Sequence, residues 1–141
     1  IHAILTPAIL GTAAVLMDRW DAGEALRLIE RERVTYMAGA PTFLQDLATH
    51  PDAPHRDLAS LRLFSCGGAA VSADLVRQAR ARLPTCVAKR VYGSTEFPTI
   101  STTGPDDAAV HGIDSEGRAI APAEVRIVRD DETVAPAGEE G

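Results

Sequence analysis

The chain has 141 residues, 45% of them hydrophobic, with 20 acidic against 14 basic side chains and a net charge of -6. This is the composition of one folded domain rather than of a disordered or fibrous chain, and its negative balance excludes long-range attraction to nucleic acid or to an anionic membrane surface. Two cysteines, Cys66 and Cys86, have neither the number nor the spacing of a disulfide framework, a zinc site or a CxxC pair, and they read as buried thiols of a cytoplasmic protein.

The apolar opening up to Met17 is broken by His2, Thr6, Pro7, Gly11 and Thr12, so it reads as a buried helix end followed by a short strand, Ala13 to Met17, and not as a membrane span. Asp21 with Glu24 three residues on has the form of a capping box, which opens a helix to about Arg33 with Ala25, Leu28 and Ile29 inward. Val34 to Ala38 is the next strand, and Pro41 suits the first turn of a helix that buries Phe43, Leu44 and Leu47. Leu61 to Cys66 reads as a buried strand ending on Gly67-Gly68. Ser72 can cap a helix to Leu83, and Val87 to Tyr92 is a further strand.

This alternation predicts an α/β fold, a largely parallel sheet flanked by helices, with loops at the strand carboxyl ends as the natural ligand site. After Gly104 the periodicity is lost. Glu124 to Val128 then alternates like a half-exposed strand before a turn at Asp130-Asp131. The predicted division is an α/β subdomain over 1–104 and the start of a β-rich one over 105–141.

Two strand ends hold the candidate chemistry. Gly67-Gly68-Ala69 would let a flat ligand approach main chain without meeting a Cβ, although paired glycines after a strand more often make an ordinary tight turn. Tyr92-Gly93-Ser94-Thr95-Glu96 supplies an aromatic face for a base, hydroxyls for phosphate oxygens and a carboxylate for Mg²⁺. On spacing alone the plainer reading, a strand end with a Gly turn and exposed polar residues, is preferred.

The set in its order is more specific. YGSTE at 92–96, VTYMAGAPTFL at 34–44, LRLFSCGGAAV at 61–71 and GRAIAPAEVRIV with PAGEEG at 117–141 resemble the ordered motifs of acyl-CoA synthetases, members of the adenylate-forming ligase superfamily. The resemblance covers essentially the whole chain. It implies a two-step enzyme that activates a carboxylic acid with ATP as an acyl-adenylate and transfers the acyl group to CoA.

It further implies that Tyr92 stacks on adenine against a wall of Gly67, Gly68 and Ala69, that Thr95 contacts the α-phosphate and that Glu96 binds Mg²⁺. Gly93 and Ser94 would border the acyl carbonyl, with Ala40 and Phe43 as candidates for the acyl-pocket wall. Ala70 stands where the family commonly has proline. The family's phosphate loop, its TGD motif and its carboxy-terminal adenylation lysine have no match here, and the one lysine, Lys89, precedes the site on a strand. The expectation is an internal piece of a longer enzyme, inactive alone and lacking its flanking subdomains. The motif context points to medium-chain or alicyclic acids, such as cyclohexanecarboxylate.

Two other functional classes compete with this reading. A serine hydrolase built on Ser94 fails because G-x-S-x-G is absent, Ser94 directly following Gly93. A non-catalytic nucleotide-binding or interaction module, or an adenylation domain of a peptide synthetase or luciferase-like enzyme, shares the same motifs and stays open at this stage.

Overall fold

The computed structural model describes residues 2–104 and 113–141. Helix α1 spans His2–Leu10, α2 Ala22–Glu32, strand β1 Tyr36–Gly39, α3 Pro41–Thr49, β2 Leu63–Gly67, α4 Ala73–Arg82, β3 Val87–Tyr92, β4 Ser101–Thr102 and β5 Arg118–Ala119, with a single 3₁₀ turn at Ala53–His55. The five strands form one sheet in the order β1-β2-β3-β4-β5. The first three run parallel, and β4 and β5 are antiparallel additions.

The helices begin and end where their sequence dictates. Asp21 accepts from the Glu24 amide at 2.7 Å at the start of α2, and Ser72 accepts from the Leu75 amide at 3.2 Å at the start of α4. Arg33 ends α2 in the left-handed conformation, its amide donating to the Ile29 carbonyl. Pro41 opens α3, where its missing N–H leaves no intrahelical bond unmade.

Parallel strands in sequential order need crossovers of one hand, which set α3 and α4 on the same face of the sheet, where they touch each other and their strands. The strands alternate accordingly. Phe64, Cys66 and Ala88 are buried beneath the helices with Leu26, Ile29, Leu44, Leu47, Leu75, Val76 and Ala79. Leu63, Ser65, Val87 and Lys89 point the other way and are only half-buried. Both cysteines are free and buried; burial pushes the Cys66 thiol up to about 11 and the Cys86 thiol to about 12, so both are neutral thiols at physiological pH.

Several expectations need correction. Residues Ala13 to Met17 form no strand, and Leu16 is 68% exposed; an apolar run becomes a strand only where a neighbour supplies ladder hydrogen bonds, and no described residue does so. Helix α1 forms, yet Leu5, Ile9 and Leu10 on it are exposed rather than buried. On α2 the inward residue is Leu26, with Leu28 only half-buried, because the stripe that meets α3 is centred one position earlier.

Glu124 to Val128 is not a strand either. It makes one bridge, Val128 with Val134, around the Asp130-Asp131 turn, where Thr133 bonds the Asp131 carboxylate. The segment across 105–112 lies outside the described residues, and β5 beyond it pairs with β4 in the same sheet as β1 to β3.

Candidate nucleotide site

The register of β2 on β3 pairs Cys66 with Arg90 and Gly67 with Val91. Because the two strands are parallel, the turns that follow them leave the same edge of the sheet, and β1 delivers Ala40 there too. A cavity of about 440 Å³ opens at this edge, lined by Gly68, Ala69 and Ala70 from the β2–α4 turn, by Val91, Tyr92 and Gly93 from β3, and by Glu116. The two turns singled out by residue type are thereby brought together on one cavity.

Each glycine has its own reason. A Cβ on Gly67 would stand 2.3 Å from the Val91 carbonyl oxygen, so Gly67 is required by the close approach of β2 to β3 and does not itself line the cavity. Gly68 turns the chain at φ +80 with open space where a Cβ would be, which leaves main chain facing the cavity. At Gly93 a Cβ would meet the Pro98 carbonyl oxygen at 2.5 Å, so only glycine lets residues 94–98 fold back against β3.

That folded-back loop carries the polar residues. The Ser94 amide donates to the Phe97 carbonyl at 3.0 Å and the Phe97 amide to the Ser94 hydroxyl at 3.3 Å, closing a turn that leaves Thr95 and Glu96 exposed. Tyr92 is 56% exposed, with its ring free to stack on a planar ligand. Glu96 titrates below its ordinary value of 4.5, held down by its own backbone N–H and then by the Ser94 hydroxyl. It is therefore a carboxylate at neutral pH. Ser94→Ala should move the Glu96 midpoint up toward 4.5, read from its side-chain carboxyl resonance in an NMR pH titration; an unchanged midpoint would contradict the assigned bond.

Ala40 and Phe43 lie at the carboxyl end of β1 but line none of this cavity. The Phe43 ring stacks on Trp20 with centroids 4.4 Å apart, and Trp20 in turn donates to Asp46 at 2.8 Å. Two residues of the site carried no role in the sequence reading. Arg90 is buried on the helix face of β3 and binds Glu116 at 2.9 Å, which brings the 113–117 segment onto the cavity. The clue is parity: Arg90 shares the inward side of its strand with Ala88, and a buried cation demands an acid.

A family model described as AMP-binding enzyme matches residues 1–141. The chain belongs to this AMP-binding enzyme family. It is 32% identical over its whole length to a medium-chain fatty-acid–CoA ligase of Escherichia coli, of which it covers 25%. It is also 38% identical over 90% of its length to a 3-[(3aS,4S,7aS)-7a-methyl-1,5-dioxo-octahydro-1H-inden-4-yl]propanoyl:CoA ligase of Mycobacterium tuberculosis, of which it covers 26%. Among solved structures, the o-succinylbenzoate coenzyme A synthetase of Bacillus subtilis in complex with AMP superposes with a TM-score of 0.80 at 26% identity, covering 97% of this chain and 27% of that one. An amide bond synthetase from Marinactinospora thermotolerans gives 0.79 at 36% identity, covering 89% and 26%. This chain thus spans about a quarter of the length of the curated relatives it matches, and it has the fold of the corresponding part of adenylate-forming enzymes. None of its described helices is long and apolar enough to cross a membrane.

Proposed function

We propose that this chain is the nucleotide-binding section of a cytoplasmic, ATP-dependent acyl-CoA ligase whose other subdomains supply the remaining catalytic groups. The observation that carries the reading is the one cavity shared by the Gly68-Ala69-Ala70 turn and the Tyr92-Gly93 strand end. An adenine seated there has the Tyr92 ring on one face and glycine-alanine main chain on the other. The similarity to a synthetase solved with AMP supports the same placement.

In this reading a carboxylate oxygen attacks the α-phosphorus of ATP, pyrophosphate leaves, and the thiol of CoA then attacks the acyl carbonyl and expels AMP. Thr95 donates its hydroxyl to the α-phosphate. Gly93 and Ser94 border the reacting carbonyl, and Ala40 and Phe43, across β2 at the same sheet edge, are candidates for the acyl-pocket wall. An exposed, ionised Glu96 fits Mg²⁺, which binds through one or two carboxylates together with substrate phosphates and would neutralise phosphate charge. The acid substrate is a medium-chain or alicyclic carboxylic acid. The division near Gly104 would mark where parallel strands give way to an antiparallel, β-rich part.

The test is pyrophosphate release by the full-length protein across a panel of carboxylic acids with ATP and CoA. Acid-dependent release, absent from the isolated 141-residue chain, is the expected result. Binding of AMP without release for any acid would instead indicate a non-catalytic nucleotide module, and release dependent on amino acids without CoA a peptide-synthetase adenylation domain.

A further inference from the structure

The Arg90–Glu116 pair is built more firmly than a structural tie requires. The Arg90 side chain is 8% exposed, and its Nη2 donates to the Ile113 carbonyl at 2.6 Å while Nη1 binds Glu116 Oε1 at 2.9 Å. From the other side, Ser101 donates to the Glu116 carbonyl at 3.0 Å, and Gly117 lies so close to β4 that a Cβ would stand 2.0 Å from Thr102 main chain. Glu116 is fixed by backbone and by side chain, yet its side chain is 49% exposed and the residue lines the cavity with Tyr92 and Gly68.

A carboxylate has about four acceptor positions, so one bond to Arg90 leaves capacity toward a ligand. Arg90 Nε, moreover, is buried with no acceptor among the described residues. Arg90 is buried while the side chain it holds is half exposed at the cavity, so the pair serves to aim the Glu116 carboxylate.

We propose that Glu116, aimed by Arg90, is the base-recognition residue of this cavity, accepting from the 6-amino group of the purine that stacks on Tyr92. The inference rests on the nucleotide reading above and sharpens it. Adenine presents a donor at position 6, whereas hypoxanthine presents an oxygen there, which a carboxylate repels. Glu116 is thus a selectivity residue and Arg90 a positioning residue.

Calorimetric binding of AMP and IMP to the full-length protein tests this without turnover. The unaltered protein should prefer AMP by ~10-fold or more, the discrimination expected of a hydrogen bond to a charged acceptor. In Glu116→Gln the amide oxygen can serve Arg90 while its NH₂ turns to the cavity and donates to the hypoxanthine oxygen, so the preference should shrink or reverse. An AMP-to-IMP ratio unchanged by Glu116→Gln would overturn the inference and leave the nucleotide site standing. No AMP binding by the unaltered protein would overturn both. Should Glu116→Gln not fold, the double variant Arg90→Gln, Glu116→Gln removes the buried charge; the preference for AMP should shrink there, since the carboxylate acceptor is gone, and an unchanged ratio again overturns the proposal.

Discussion

If the full-length protein is the ligase proposed, Thr95→Ala in it is expected to lower acyl-adenylate formation ~10²- to 10³-fold, the usual consequence of removing one preorganised donor from developing charge. Thr95 lies in the exposed turn after β3, outside the buried core, so the melting temperature should hardly change. The turn that carries Thr95 is held by two features: the Gly93 contact with Pro98, and the Ser94–Phe97 hydrogen bonds. Single-turnover pyrophosphate release, measured together with thermal unfolding, separates chemistry from folding. A variant that melts early but keeps its specific activity would place Thr95 in the fold and not in the reaction. Glu96→Gln should behave in parallel, with partial recovery at high Mg²⁺ if its carboxylate holds the ion.

Gly67→Ala is expected to destabilise the chain by ~3 kcal/mol, the upper part of the range for forcing an extra carbon into closely packed structure. The added methyl would stand 2.3 Å from the Val91 carbonyl oxygen, a main-chain atom that also belongs to the β2–β3 ladder and cannot swing aside as a side chain can. Relief requires the two strands to part. Their parting separates the Gly68–Ala70 turn from Tyr92, so AMP affinity should fall with stability. Gly68→Ala is the contrasting case: a Cβ there meets nothing within 4 Å, but φ is +80, and the left-handed backbone alone costs roughly 1 to 2 kcal/mol for a residue with a side chain. Urea unfolding of the two variants should therefore rank Gly67→Ala as the more damaging. The reverse order would contradict the account of why each glycine is present.

The parts of the fold legible in the sequence are those whose cause is local. Asp21, Ser72 and Pro41 fix helix starts through hydrogen-bond chemistry within one turn, and β3 is bounded by Cys86 and Gly93 as its residues suggest. Strands that depend on a distant partner were not legible. Ala13 to Met17 has strand composition without a ladder partner, while Ser101–Thr102 and Arg118–Ala119 are too short for any periodicity to show, yet they complete the sheet through pairings set by β3.

The site divides in the same way. Tyr92, Gly68 and Ala69 announced themselves because turn chemistry and aromatic character sit in contiguous residues, and parallel strands must place them at one edge. Glu116 did not, since it reaches the cavity from 26 positions beyond its partner Arg90, across a stretch without pattern. Gly67 was legible as a residue but not as a mechanism, because what excludes its side chain is a carbonyl on the neighbouring strand.

The central claim, that the Tyr92 and Gly68–Ala70 cavity receives the base of AMP, is tested most directly by a crystal structure of the full-length protein with AMP bound. The account predicts the adenine stacked on the Tyr92 ring, its other face on the main chain of Gly68 to Ala70 and its phosphate toward Thr95. Adenine bound at any other edge of the sheet, with this cavity left to solvent, would contradict it.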